Sequence, residues 1–231
     1  MIIFLGDSFT WGQGLQIPYW LSNGKTIDEC QELMPPKHPA ELYDYKGDEY
    51  RKKHHFPNLV AKHFNKSYST KWGNGGSNSQ IHFLMEEAGK LMDTAGIDVV
   101  IVQFTEVTRD KDLIDEFYKK SSYLVNNDNF PNDYIEYMIN HFDERFKSIY
   151  PNKKWFGFSW QSDIGKILET KYEENFIPII LNEKKYKNFE DIRTHYRLDL
   201  ASTTSVTDGH FNEEGHRVIA DSIIKKITPY L

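Results

Sequence analysis

The chain has 231 residues, of which 39% are hydrophobic and 15% aromatic, enough for one domain with a sizeable core. Its net charge is −6, and its basic runs, Arg51-Lys-Lys-His-His55 and Lys184-Lys185, are short and interleaved with acids. They read as solvated surface, which argues against nucleic acid as a partner.

In chain order, Ile2 to Leu5 is a short apolar run with the character of a buried strand. Gly6-Asp7 is turn chemistry, so Ser8 falls at the carboxyl edge of that strand. Residues 15–55 are polar, aromatic and proline-punctuated, and are expected to form an insertion or lid over the serine, with Trp11, Tyr19 and Trp20 as pocket walls. Further strands are expected at Tyr68 to Trp72, Val99 to Phe104, Lys154 to Trp160 and Ile177 to Leu181, the β-branched run Val99 to Val102 marking a central parallel strand. Helical patterns fall at Pro57 to Phe64, Gln80 to Met92, Tyr134 to Ile149 and Gly215 to Ile227. Phe142, Phe146 and Ile149 fall at helix spacing with Ile135 and Met138 or Ile139 on one core-facing stripe. Phe117 to Pro131 is a second candidate lid. Alternation of this kind predicts an α/β fold: one domain over 1–231, a three-layer α/β/α sandwich with a central parallel sheet.

The apolar runs are strand-sized, so no membrane span is expected. The N-terminus shows neither the basic region nor the long apolar stretch of a secretory signal. Cys30 is the only cysteine, which rules out an intrachain disulfide. A soluble, cytoplasmic protein is the expectation. The nine histidines lack zinc-ligand spacing, and neither metal nor cofactor is expected.

Serine is a weak nucleophile unless a base takes its proton and a third group orients that base. Asp208-Gly-His210-Phe-Asn-Glu-Glu-Gly-His216 offers both groups near the C-terminus, giving a chain order of Ser8, Asp208, His210. His216 reads as packing or capping, and Asn212 as a helix cap with Glu213 and Glu214 in the first turn.

Gly6-Asp7-Ser8-Phe9-Thr10-Trp11-Gly12 resembles the first block of the SGNH hydrolases, the GDSL esterase and lipase superfamily, and Asp208-Gly-His210-Phe-Asn with Gly215-His216 resembles the last. The resemblance implies a flavodoxin-like SGNH fold and a catalytic Ser8, Asp208 and His210. Many members place the acid three residues before the histidine, where this chain has Thr207. Trp72-Gly-Asn-Gly-Gly-Ser-Asn78 resembles the second block, which implies an oxyanion N–H from Gly75 or, one residue on, Gly76. The family's Gly-x-Asn-Asp block is replaced by Thr105-Glu106-Val107-Thr108-Arg109 after the central strand. Thr105 and Asn78, or Asn74, are the candidates for its missing donor, and Arg109 is expected to pair with Asp110 or Asp112. The implied activity is a serine esterase acting on a small-molecule or carbohydrate ester, a small acyl group on a sugar above all. The alternatives are a lipase or thioesterase, or a noncatalytic binding module on the same fold.

Overall fold

The computed structural model describes residues 1–32, 44–72, 76–92, 94–110, 114, 117, 132–204 and 209–231. Among them, β1 (Ile2–Gly6), β2 (Tyr68–Trp72), β3 (Val99–Phe104) and β4 (Lys154–Ser159) form a parallel sheet in the order β2-β1-β3-β4. The chain leaves β1 towards β2 on one side, and β3 occupies the other. The carboxyl end of β1 is therefore the switch point of the sheet, where open α/β folds leave a crevice.

The pleat explains the layers. Ile3 and Leu5 of β1, with Val100, Val102 and Phe104 of β3, face one core with α6 (Asn78–Leu91), α7 (Asn132–Ile149) and α8 (Ser162–Lys171). The intervening residues, Ile2, Phe4, Val99 and Ile101, face a second core with α5 (Phe56–His63) and α11 (Glu213–Ile227). Both faces are covered, which is why the strands read as continuous apolar runs rather than alternating ones. Phe56 meets Phe4 and Phe158 edge-on, with ring centroids 5.9 and 5.7 Å away. Burying each such ring contributes roughly 1.5–3 kcal/mol. The helices expected at 80–92, 134–149 and 215–227 begin two residues earlier than their periodicity suggested, at Asn78, Asn132 and Glu213, because polar pairs, Asn78-Ser79, Asn132-Asp133 and Glu213-Glu214, open their first turns.

The expected strand at Ile177 to Leu181 is split. Phe176 makes only an isolated parallel bridge to Gly157, with Ile177 N–H donating to Gly157 O at 2.8 Å. Pro178 has no N–H with which to continue the ladder. Beyond it, β5 (Ile179–Leu181) folds back on β6 (Lys184–Tyr186) through Asn182 and Glu183, both at positive φ (49° and 65°).

The described part of the 15–55 segment is helical: α2 (Gln16–Ser22), α3 (Ile27–Glu32) and α4 (Tyr45–His54). Ile17, Trp20 and Cys30 pack with Leu200 of α10 (Leu200–Thr203) into a small third core. Trp20 is 2% exposed and its indole N–H donates to Asp44 at 2.6 Å, so it is a core residue rather than the pocket wall expected of it. Tyr19 is half-buried and lies against Tyr50. The Trp11 side chain, residues 33–43 and nearly all of the candidate lid at 117–131 lie outside the described residues. Among the described residues no helix is long and apolar enough to cross a membrane.

Candidate active site

Ser8 opens α1 (Ser8–Trp11), separated from the end of β1 by Asp7 alone, and is 4% exposed. Asp7 caps this turn, accepting the Phe9 N–H at 2.9 Å. Gly6 is obligatory here, because a Cβ at that position would stand 2.0 Å from Thr10 Oγ1 and 3.2 Å from Gln103 Cβ.

His210 comes from the opposite end of the chain. Its backbone is fixed by Leu200 N–H donating to His210 O at 2.9 Å and by the antiparallel bridge of Asp199 with Phe211. Asn212 then caps α11, its Oδ1 accepting the Gly215 N–H at 2.9 Å while its Nδ2 donates to Arg197 O at 2.7 Å. The imidazole leans on Phe9, ring centroids 4.4 Å apart, and Phe9 stacks in turn on Trp160 at 5.5 Å. Held this way, His210 Nε2 lies 2.8 Å from Ser8 Oγ, across 202 residues of sequence. For the hydroxyl to donate, Nε2 must be the unprotonated nitrogen, and Nδ1 then carries the hydrogen.

Asp208, expected to face Nδ1, and Gly75, first choice for an oxyanion N–H, lie outside the described residues. Gly76 is described and buried, just before Ser77, whose Oγ caps α6 by accepting the Gln80 N–H. His216 is fully buried, stacked on Phe56, and its Nδ1 accepts the Phe56 N–H at 3.1 Å. Burial holds its pKa well below the ordinary histidine value, so it is neutral and sits in the core.

Asn78 and Thr105 have other work than the oxyanion contact expected of their side chains. Asn78 Nδ2 donates to Thr105 O at 3.0 Å and to Asp110 Oδ2 at 2.6 Å, while its Oδ1 accepts the Thr105 N–H at 2.8 Å. The Thr105 hydroxyl donates to Asp7 Oδ2 at 2.8 Å. Both residues are completely buried, and every side-chain hydrogen they have is committed inside the protein. The expectation for these two side chains changes accordingly; Asn74, the other candidate, lies outside the described residues. Arg109 has Asp7 at 3.7 Å and Glu106 at 3.5 Å; of the two partners expected for it, Asp112 lies outside the described residues.

Sequence reasoning did not flag the buried polar layer under the serine. Gln103, the one polar residue of β3, accepts from Thr10 Oγ1 at 2.7 Å and donates to Asp7 Oδ1 at 2.9 Å. Asp7 is thus a buried carboxylate with three hydrogen-bond donors and a guanidinium nearby. Burial pushes its pKa up, against the opposing pull of Thr105, Phe9 and Arg109. The signal was available, since an isolated glutamine in an otherwise apolar central strand must find partners. Among the described residues no group of His, Cys, Asp and Glu side chains has the geometry to hold a metal ion.

Neither a family model nor a curated protein sequence matches the chain. Solved structures match its fold. One is a carbohydrate esterase whose active site displays divergent catalytic and non-catalytic binding functions, at 15% identity and a TM-score of 0.52, over 98% of this chain and 67% of that one. Another is an α/β hydrolase from the metagenome of Lake Arreo, Spain, at 11% identity and 0.51, over 100% and 95%. A third is an extracellular lipase from Streptomyces rimosus, at 11% identity and 0.50, over 100% and 99%. These likenesses are of fold, in agreement with the SGNH fold that the sequence blocks implied.

Proposed function

We propose that this protein is a serine esterase that removes a small acyl group from a carbohydrate ester. The observation that carries the reading is the 2.8 Å contact between Ser8 Oγ and His210 Nε2 at the carboxyl edge of the central sheet. The fold-level likeness to a carbohydrate esterase and a lipase supports ester hydrolysis in general.

In this mechanism His210 Nε2 takes the Ser8 proton as Oγ attacks the ester carbonyl. The tetrahedral intermediate expels the alcohol, which His210 protonates, and leaves an acyl group on Ser8. Water, deprotonated by the same histidine, then attacks the acyl-enzyme and frees the acid. Asp208 is assigned to the Nδ1 side of the imidazole, where a carboxylate would fix the tautomer and stabilise the imidazolium. The oxyanion is assigned to the Ser8 N–H and to one of the two adjacent glycine N–H groups, Gly75 or Gly76. Loss of one such donor typically costs about 2.7–4 kcal/mol of transition-state stabilisation.

Phe9, buried against Trp160 and Phe211, braces the His210 imidazole from within the core. A noncatalytic binding module would have no need of a serine and histidine in direct hydrogen-bond contact. The test is hydrolysis of p-nitrophenyl acetate by the wild type, Ser8→Ala and His210→Ala. Both variants are expected to lose activity to a similar extent, because nucleophile and base act as a unit. Full activity in Ser8→Ala would rule the serine mechanism out.

A further inference from the structure

α6 is attached to the sheet by more than its apolar face. Its first two N–H groups, Asn78 and Ser79, donate to Asp110 Oδ1 at 2.5 and 3.2 Å, so a carboxylate from the loop after β3 caps a helix that starts after β2. Asp110 is completely buried. Its second oxygen accepts the Asn78 side chain, and that side chain in turn pairs with both the N–H and the C=O of Thr105. Asn78 thereby occupies the edge of the chain just past β3 as a neighbouring strand's backbone would.

The helix already has a cap in Ser77 Oγ, so the added carboxylate is not needed to start it. Burying Asp110 is costly, and burial pushes its pKa up in spite of Asn78, Ser79 and Tyr134. A fully satisfied polar network of this kind fixes one geometry where apolar contacts would allow several. The geometry it fixes joins the two halves of the proposed oxyanion hole. From Ser8 the path runs to Asp7, across the Thr105 hydroxyl to Thr105, across its peptide groups to Asn78, and along two residues of chain to Gly76.

We propose that Asn78, locked by Asp110, is the positioning residue that registers the Gly76 N–H against the Ser8 nucleophile. The inference rests on the esterase reading above. Asn78 touches no substrate; it acts by holding the loop before α6 at a set distance from the carboxyl end of β1.

The test compares p-nitrophenyl acetate with its thiono analogue, whose sulfur is a poor hydrogen-bond acceptor. The ratio of the two kcat/KM values reports donation to the oxyanion, and it is independent of the fraction of molecules folded because both substrates sample the same active enzyme. Asn78→Ala and Asp110→Asn should each lower the wild-type preference for the oxygen ester by at least about tenfold. Asn78→Ser, which keeps an acceptor for the Thr105 N–H, serves the same measurement where the alanine variant does not fold, with a smaller fall in the same direction. An unchanged ratio in these variants, with total activity and melting temperature lowered together, means a structural network only and overturns the proposal. A wild type that releases p-nitrophenol no faster than Ser8→Ala overturns the esterase reading and this inference with it.

Discussion

Replacing Asp7 tests whether the buried layer beneath the serine holds the site together. The carboxylate accepts the Phe9 N–H and Gln103 Nε2 on Oδ1, and the Thr105 hydroxyl on Oδ2. Asp7→Ala leaves at least two buried N–H donors without an acceptor, at about 1–3 kcal/mol each, so a loss of about 2–6 kcal/mol is expected. Asp7→Asn is a different perturbation. Its oxygen can keep the Phe9 and Gln103 bonds while its amide faces Thr105, whose hydroxyl turns to accept instead of donating. The neutral side chain also avoids the desolvation that pushes the Asp7 pKa up, and gives up only the attraction of Arg109 at 3.7 Å. Asn should therefore retain most of the stability that Ala loses. Urea unfolding at pH 7 measures both, and equal stability of the two variants to within about 0.5 kcal/mol would refute the hydrogen-bond account.

Two further predictions concern the surroundings of the site. His216 stays neutral when folded while an unfolded-chain histidine protonates below about 6.5, so stability present above that pH is lost as pH falls, by about 1.4 kcal/mol between pH 7.5 and 5.5. His216→Gln should remove that part of the pH dependence, and thermal melts of the two proteins with parallel pH profiles would contradict it. Gly6→Ala places a Cβ 2.0 Å from Thr10 Oγ1 and should cost several kcal/mol, whereas Gly96→Ala meets nothing within 4 Å and should stay within about 0.5 kcal/mol of wild type. Equal melting temperatures for the two glycine variants would show that the strand end tolerates what its packing forbids.

The scaffold was legible because its signals are local. Val99 to Val102 and Ile2 to Leu5 announce buried strands by composition, and the Phe142, Phe146, Ile149 stripe announces a helix by period. Ser8 and His210 were legible as residue types in order, but their contact depends on Leu200 and Asp199 holding the histidine loop, which no local pattern encodes. The fifth strand misled because its apolar run ignores the missing N–H of Pro178. Trp20 misled because an aromatic in a polar insertion reads as exposed, whereas here it nucleates a small core of its own with Ile17 and Cys30. The roles of Asn78, Thr105 and Asp110 were hidden for the same reason as the histidine contact. Hydrogen bonds spanning 27 and 32 residues leave no trace in spacing, and a buried asparagine has the same letter as an exposed one.

The central claim is that Ser8 is an activated nucleophile. Fluorophosphonate labelling at neutral pH, read by mass spectrometry of the modified peptide, addresses it without any assumption about substrate. A single adduct on Ser8 is predicted for the wild type, with none in Ser8→Ala and strongly slowed formation in His210→Ala. No adduct on the wild type, or an adduct that persists in Ser8→Ala, would contradict it.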